Sequence, residues 1–89
     1  MAHYMVVRHK IRDYSVWKPG YDEHRAKRIG AGLTDKYLLR SDDDPNEVIA
    51  FFEAEDLARA KAFAQSKDLK ETMQKAGVVG QPDIYFLND

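Results

Sequence analysis

The sequence predicts an α+β domain in which strands and helices follow one another as β-α-β-β-α-β. Three observations carry that prediction. Four short segments are rich in β-branched, aromatic and aliphatic residues, as strands are. Two longer stretches, 13–29 and 56–76, repeat their apolar residues at helical spacing. Between the second and third strand segments, Ser41 to Asn46 consists wholly of turn-forming residues.

The first strand is Tyr4 to Arg8. Asp13 then caps a helix running to about Ile29, with Tyr14, Trp17, Tyr21, His24 and Arg28 on one stripe. At about 100° per residue these five side chains fall within roughly 80° of arc. Pro19 and Gly20 interrupt the stripe, and a proline there is expected to kink the helix or to restart it. Gly30 or Gly32 supplies a left-handed stop. Thr34 to Arg40 and Glu47 to Ala54 are strands joined as an antiparallel hairpin. Asp56 caps a helix with Leu57, Ala60, Phe63 and Ala64 on one face. Ser66 caps a further short helix, with Asp68 in its first turn and Leu69, Met73 and Ala76 at helical spacing. Gly77 closes it. After Gly80 and Pro82 the last strand is Ile84 to Leu87. This order is the ferredoxin-like split βαβ pattern with a divided second helix, and residues 1–89 read as a single domain without repeats or linkers.

Composition narrows the function. Forty-four per cent of the residues are hydrophobic, enough to offset chain entropy in a folded core. Fourteen basic residues against fifteen acidic ones leave a net charge of −1, so no electrostatic footprint for nucleic acid or an anionic membrane is expected. Without cysteine there is no disulfide, no thiolate nucleophile and no cysteine-ligated metal. No long apolar run and no signal segment are recognisable, which makes a soluble, cytoplasmic protein the expectation.

The strands are apolar on both faces. Val48, Ala50 and Phe52 point one way and Ile49 and Phe51 the other, while Ile84 and Phe86 oppose Tyr85 and Leu87. An antiparallel sheet with helices on one side normally alternates apolar-in and polar-out. Both crossovers of this topology lie on the same side, so the second face is expected to meet a second copy, giving a homodimer with its sheets face to face.

Several segments carry a family resemblance over nearly the whole chain. They are Asp13-Tyr14 followed by Trp17, then Tyr21-Asp22-Glu23-His24, the stop at Gly30-Ala31-Gly32, and the hairpin from Arg40-Ser41 to Asp44-Pro45-Asn46-Glu47. Phe52 to Leu57 and Met73 to Gly80 complete the set. In these the chain resembles the dimeric α+β barrel superfamily, and most of all its antibiotic biosynthesis monooxygenase-like members. The resemblance implies a dimeric barrel and a small-molecule cavity between helices and sheet in each subunit, without choosing a reaction. The superfamily's haem-degrading branch uses an asparagine on an early strand. The only asparagines here are Asn46 and Asn88, so haem chemistry is not expected. RNA-binding relatives of this topology carry a glycine-and-basic motif with exposed aromatics on a central strand, and Val48 to Ala54 has none.

His24 is the candidate catalytic residue. An imidazole on the stripe beside Trp17 and Tyr21 can take a phenolic proton at neutral pH. The alternative is a structural histidine bonded to a backbone carbonyl or to a carboxylate such as Asp22 or Glu23. Trp17, Tyr21 and Tyr14 offer a flat wall for a planar substrate, although any helix packing on a sheet needs the same stripe. Arg28 and Arg8 can hold a developing enolate or phenolate, although Arg28, at the far end of the stripe, reads rather as solvated or salt-bridged. Tyr37 and Phe51, with Tyr4 and Tyr85, line either the pocket or the dimer interface, depending on strand register. Asp42-Asp43-Asp44 lacks the ligand spacing of a calcium loop and reads as a solvated turn. His3 and His9, on an edge of the first strand, have no third ligand, so neither metal nor cofactor is expected. Taken with the resemblance, these residues favour a cofactor-independent monooxygenase-like enzyme for a planar aromatic or enolisable substrate. The alternatives are a non-catalytic module that binds a small ligand or only dimerises, and a small-molecule isomerase.

Overall fold

The computed structural model describes residues 2–89. Its elements are β1 (His3–Ile11), α1 (Tyr14–Glu23), α2 (Arg25–Gly30), β2 (Leu33–Arg40), β3 (Glu47–Ala54), α3 (Leu57–Ala64), α4 (Lys67–Ala76) and β4 (Val78–Asn88). The strands form one antiparallel sheet in the order β2-β3-β1-β4, the ferredoxin-like arrangement that the sequence predicts.

The end signals act where the sequence places them. The Asp13 carboxylate accepts from the Ser15 N–H at 2.9 Å. The Asp56 carboxylate accepts from Ala58 and Arg59, and the Ser66 hydroxyl from the Leu69 N–H at 3.2 Å. Gly32, at φ +79°, and not Gly30, makes the left-handed stop after α2, and Gly77, at φ +90°, makes the one after α4.

Pro19 departs from expectation, because the chain stays helical through it and the interruption falls at His24. Pro19 removes one N–H, the partner of the Ser15 carbonyl, while the Asp13 cap and the buried Trp17 hold the turn before it. At His24 the backbone (φ −81°, ψ 0°) leaves α1, and its carbonyl accepts from Lys27 and Arg28 to start α2. Two strands are longer than predicted. β1 continues past Arg8 because His9 and Lys10 pair with Val48 and Glu47. β4 begins at Val78, directly after the glycine stop, and bulges opposite Arg8 to Lys10 to accommodate Gly80 to Pro82. Pro82 is tolerated because β4 is an edge strand.

All helices pack on one face of the sheet. There Met5, Val7 and Ile11 of β1 and Val48, Ala50, Phe52 and Ala54 of β3 are buried against Trp17, Ala60, Phe63 and Met73. On the opposite face one apolar row crosses all four strands, Tyr37–Phe51–Val6–Tyr85. Tyr37, Leu39, Tyr85 and Leu87 on that face are each about half exposed or more. Glycine geometry gives a first prediction. Gly77→Ala, which forces a Cβ into the left-handed region, is expected to cost about 1–2 kcal/mol in urea unfolding. Gly30→Ala, in open space at a helical position, is expected to be neutral or to stabilise by up to about 1 kcal/mol.

Candidate functional site

Between the helix-facing side of the sheet and the helices lies a cavity of about 50 Å³, with walls almost entirely apolar. β1 and β3 supply its floor through Met5, Val7, His9, Ala50 and Phe52, and α3 and α4 cover it through Phe63, Leu69 and Met73. Trp17 and Tyr21 of α1 form one wall, their rings stacked at 4.8 Å. Burial pushes the Tyr21 phenol up to about 12, so its hydroxyl stays protonated.

Arg28 closes the side next to β2. It is only 4% exposed, although its helix is a surface element. Its guanidinium engages Asp35 through Nε (3.1 Å) and Nη2 (3.2 Å), donates from Nη1 to the Tyr21 carbonyl at 2.6 Å, and lies 3.9 Å from the Tyr21 ring centroid. Of the two readings open at Arg28, the salt-bridged one describes the structure and the solvated one does not. A bulge at Lys36 makes this pair possible: Asp35 stays opposite Phe52 on the helix face, whereas Tyr37, opposite Phe51, turns to the other face.

His24 stands at the mouth. Its Nε2 is 2.8 Å from Asp68 Oδ2, and its ring stacks on Phe63 at 5.7 Å. The hydrogen bond from His24 holds the Asp68 carboxyl below the usual carboxylate range, so the carboxylate accepts and the ring nitrogen donates. On its other side His24 borders an open groove of about 470 Å³ between α1 and α4. His24, Thr72 and Ala76 border both spaces and form the partition between them.

His9 is the group that sequence reasoning missed. It lies on an interior strand rather than at an edge, faces the helices, and is 6% exposed. Its ring sits 5.4 Å from Trp17, and neither ring nitrogen has a hydrogen-bond partner. Burial pushes its pKa down to about 4, so the ring is neutral at pH 7. The signal was present, since Met5, Val7, His9 and Ile11 alternate on one strand face.

The remaining candidates are dispersed. Tyr14 backs Trp17 at 5.8 Å, beneath the Arg40 guanidinium, and does not line the cavity. Tyr37 and Phe51 meet edge to face on the far side of the sheet, so as pocket residues they are corrected by the register. Arg8 is also on that side, ion-paired with Glu47 and with Asp83 at 3.1 Å, and holds no charge in the cavity. Asp43 and Asp44 are bound into the hairpin turn, and among the described residues no group of three or more potential ligands could hold a metal ion. Nor, among those residues, is any helix long and apolar enough to cross a membrane.

No family model and no curated protein matches the sequence. Solved structures do. A Bordetella bronchiseptica protein assigned to the antibiotic biosynthesis monooxygenases superimposes with a TM-score of 0.81 at 16% identity, over 99% of this chain and 96% of that one. SnoaB, a cofactor-independent oxygenase from Streptomyces nogalater, gives 0.72 at 12% identity over 99% and 94%. A conserved protein from Methanosarcina mazei gives 0.72 at 13% over 98% and 91%. The chain therefore has the ferredoxin-like α+β fold of the antibiotic biosynthesis monooxygenases.

The neutral buried His9 makes stability depend on pH. An unfolded histidine titrates near 6.5 and this one near 4, so the unfolded chain binds the extra proton between those values. Stability present above pH 6.5 is expected to fall by about 3 kcal/mol on acidification to pH 4, as read by urea unfolding. His9→Phe is expected to remove that part of the slope.

Proposed function

We propose that the protein is a small-molecule enzyme of the cofactor-independent monooxygenase type, acting on a planar phenolic or enolisable substrate as a homodimer. The observation that carries the reading is the His24–Asp68 pair, set at the mouth of an apolar cavity walled by Trp17 and Tyr21. With Nε2–H donated to Asp68, the other ring nitrogen is the free acceptor. His24 takes the phenolic or enolic proton through that nitrogen, and the Asp68 carboxylate compensates the charge the ring acquires. The substrate anion then supplies the electrons. Dioxygen forms a bond to its carbon, the resulting hydroperoxide loses water, and one oxygen atom remains as a new carbonyl. A phenol and O₂ thus give a quinone and water, with no external reductant. The dry walls keep competing proton transfer away from the intermediate.

The cavity sets a size condition. About 50 Å³ is roughly a third of the ~150 Å³ apolar cavity that accepts benzene. A ring-sized substrate therefore enters by displacing side chains, and Met73 and Phe63 on the covering helices are the ones to move; the unbranched thioether of Met73 adapts most readily.

The same apolar interior without a free charge favours a second reading, a module that binds a small ligand and does not turn it over. Oxygen uptake separates the two. Phenolic and naphtholic compounds are screened by thermal midpoint and then by oxygen electrode. A ligand that raises the midpoint without oxygen-dependent product favours the binder. For the enzyme, His24→Ala is expected to lower turnover by about 10²–10⁴ with the fold retained by circular dichroism. Unchanged turnover removes His24 as the base.

The dimer is supported by the sheet face that carries Tyr37, Leu39, Tyr85 and Leu87, each about half exposed or more in the isolated subunit. Light scattering across a wide dilution range is expected to give twice the chain mass, and Phe51→Glu to give the single chain. A wild-type protein with the mass of one chain would remove the dimer from the reading.

A further inference from the structure

We propose that His9 is the polar anchor of the cavity: a neutral imidazole that hydrogen-bonds a hydroxyl or carbonyl oxygen of an uncharged, flat ligand. The inference rests on the small-molecule reading above and names the ligand class that the same cavity selects. Three observations support it. His9 is 94% buried on an interior strand and borders the cavity. Both its ring nitrogens are unpartnered, although a neutral imidazole offers one N–H donor and one lone pair. Its ring is tilted by 55° against the buried face of Trp17, so an oxygen at His9 leaves the body of a flat ligand against the aromatic wall.

The other charged groups at the cavity are already engaged. The Arg28 guanidinium is neutralised by Asp35 and tied to the Tyr21 carbonyl, and His24 is tied to Asp68. An anionic ligand finds no free cation there, while an uncharged one loses little hydration and gains the hydrogen bond that His9 lacks. The depressed pKa agrees, because burial with no compensating charge keeps the imidazole uncharged. Such a group lowers the stability of the fold that carries it, and an apolar residue of similar size would pack there without an orphaned donor or acceptor.

The test uses the whole chain with phenol, benzene and benzoate as probes. In the wild type, phenol is expected to shift the ¹⁵N signals of the His9 ring and to raise the thermal midpoint, and benzoate to bind at least tenfold more weakly than phenol. In His9→Leu and His9→Phe the midpoint without ligand is expected to rise, phenol affinity to drop tenfold or more, and benzene affinity to hold or improve. The wild-type ring signals report even if one variant fails to fold. Phenol bound without movement of those signals, equal losses for phenol and benzene in the variants, or no binding of phenol at all would each overturn the proposal. Oxygen uptake with phenol separates this proposal from the oxygenase reading. Phenol anchored by His9 without turnover leaves the anchor standing and removes the oxygenase reading; turnover at unchanged KM in His9→Leu does the reverse.

Discussion

A four-stranded antiparallel sheet has two faces, and every helix of this chain packs on the same one. β1 feels the consequence most, because it lies between β3 and β4 and can expose neither of its sides without cost. On the helix side its alternate residues Met5, Val7, His9 and Ile11 meet Trp17, Tyr21 and the covering helices. On the other side Val6 is shielded by its neighbours Phe51 and Tyr85, of which Tyr85 is half exposed. The inner face produces a lined cavity, and the outer face produces a surface of a kind that proteins seldom leave to water. Cavity and proposed interface are therefore two results of one topological fact, separated by the thickness of a single strand.

Electrostatics then divides the cavity into finished and unfinished parts. Arg28 and Asp35 satisfy one another at the β2 end, so that corner is structural: it ties α2 to the sheet and fixes Tyr21 by both its carbonyl and its ring. Breaking such a pair leaves a buried charge, which argues against Arg28 as a group free to follow a substrate. Gly20 and Ala76 set how closely α1 and α4 approach, for a Cβ at Gly20 would meet the Ala76 methyl at 3.4 Å. That spacing holds His24 over the cavity and keeps Asp68, in the first turn of α4, within reach of its ring.

Most of the architecture was legible from residue type and period. Capping residues, glycine stops and the all-turn hairpin mark boundaries by local chemistry that tertiary packing does not overrule, and Asp13, Asp56, Ser66 and Gly77 behave as read. What escaped depends on non-local pairing. The bulge at Lys36 sends Asp35 and Tyr37 to opposite faces, where simple alternation would put them together, and so it decides both the partner of Arg28 and the fate of Tyr37 and Phe51. Pro19 looked like the break because proline removes a donor, yet the chain breaks five residues later at His24. His9 escaped for another reason. The run of β-branched and aromatic residues ends before Arg8, so residue type alone does not carry the alternation of Met5 and Val7 on to His9. Asp68 was recognised as a first-turn acid, but its nearness to His24, 44 positions away, is a property of the fold alone.

Two histidines border one cavity in opposite environments, and the roles proposed for them rest on that contrast. His24 has a carboxylate at 2.8 Å and solvent on its groove side, so a proton arriving on its ring is compensated and can leave again. His9 has no carboxylate, no solvent and a pKa near 4, so a proton on its ring at neutral pH has nothing to balance it. The first environment suits the proton transfer proposed for His24, and the second suits the hydrogen bond proposed for His9. The supporting elements differ as well: His24 occupies a helix junction beside the open groove, and His9 occupies an interior strand of the sheet.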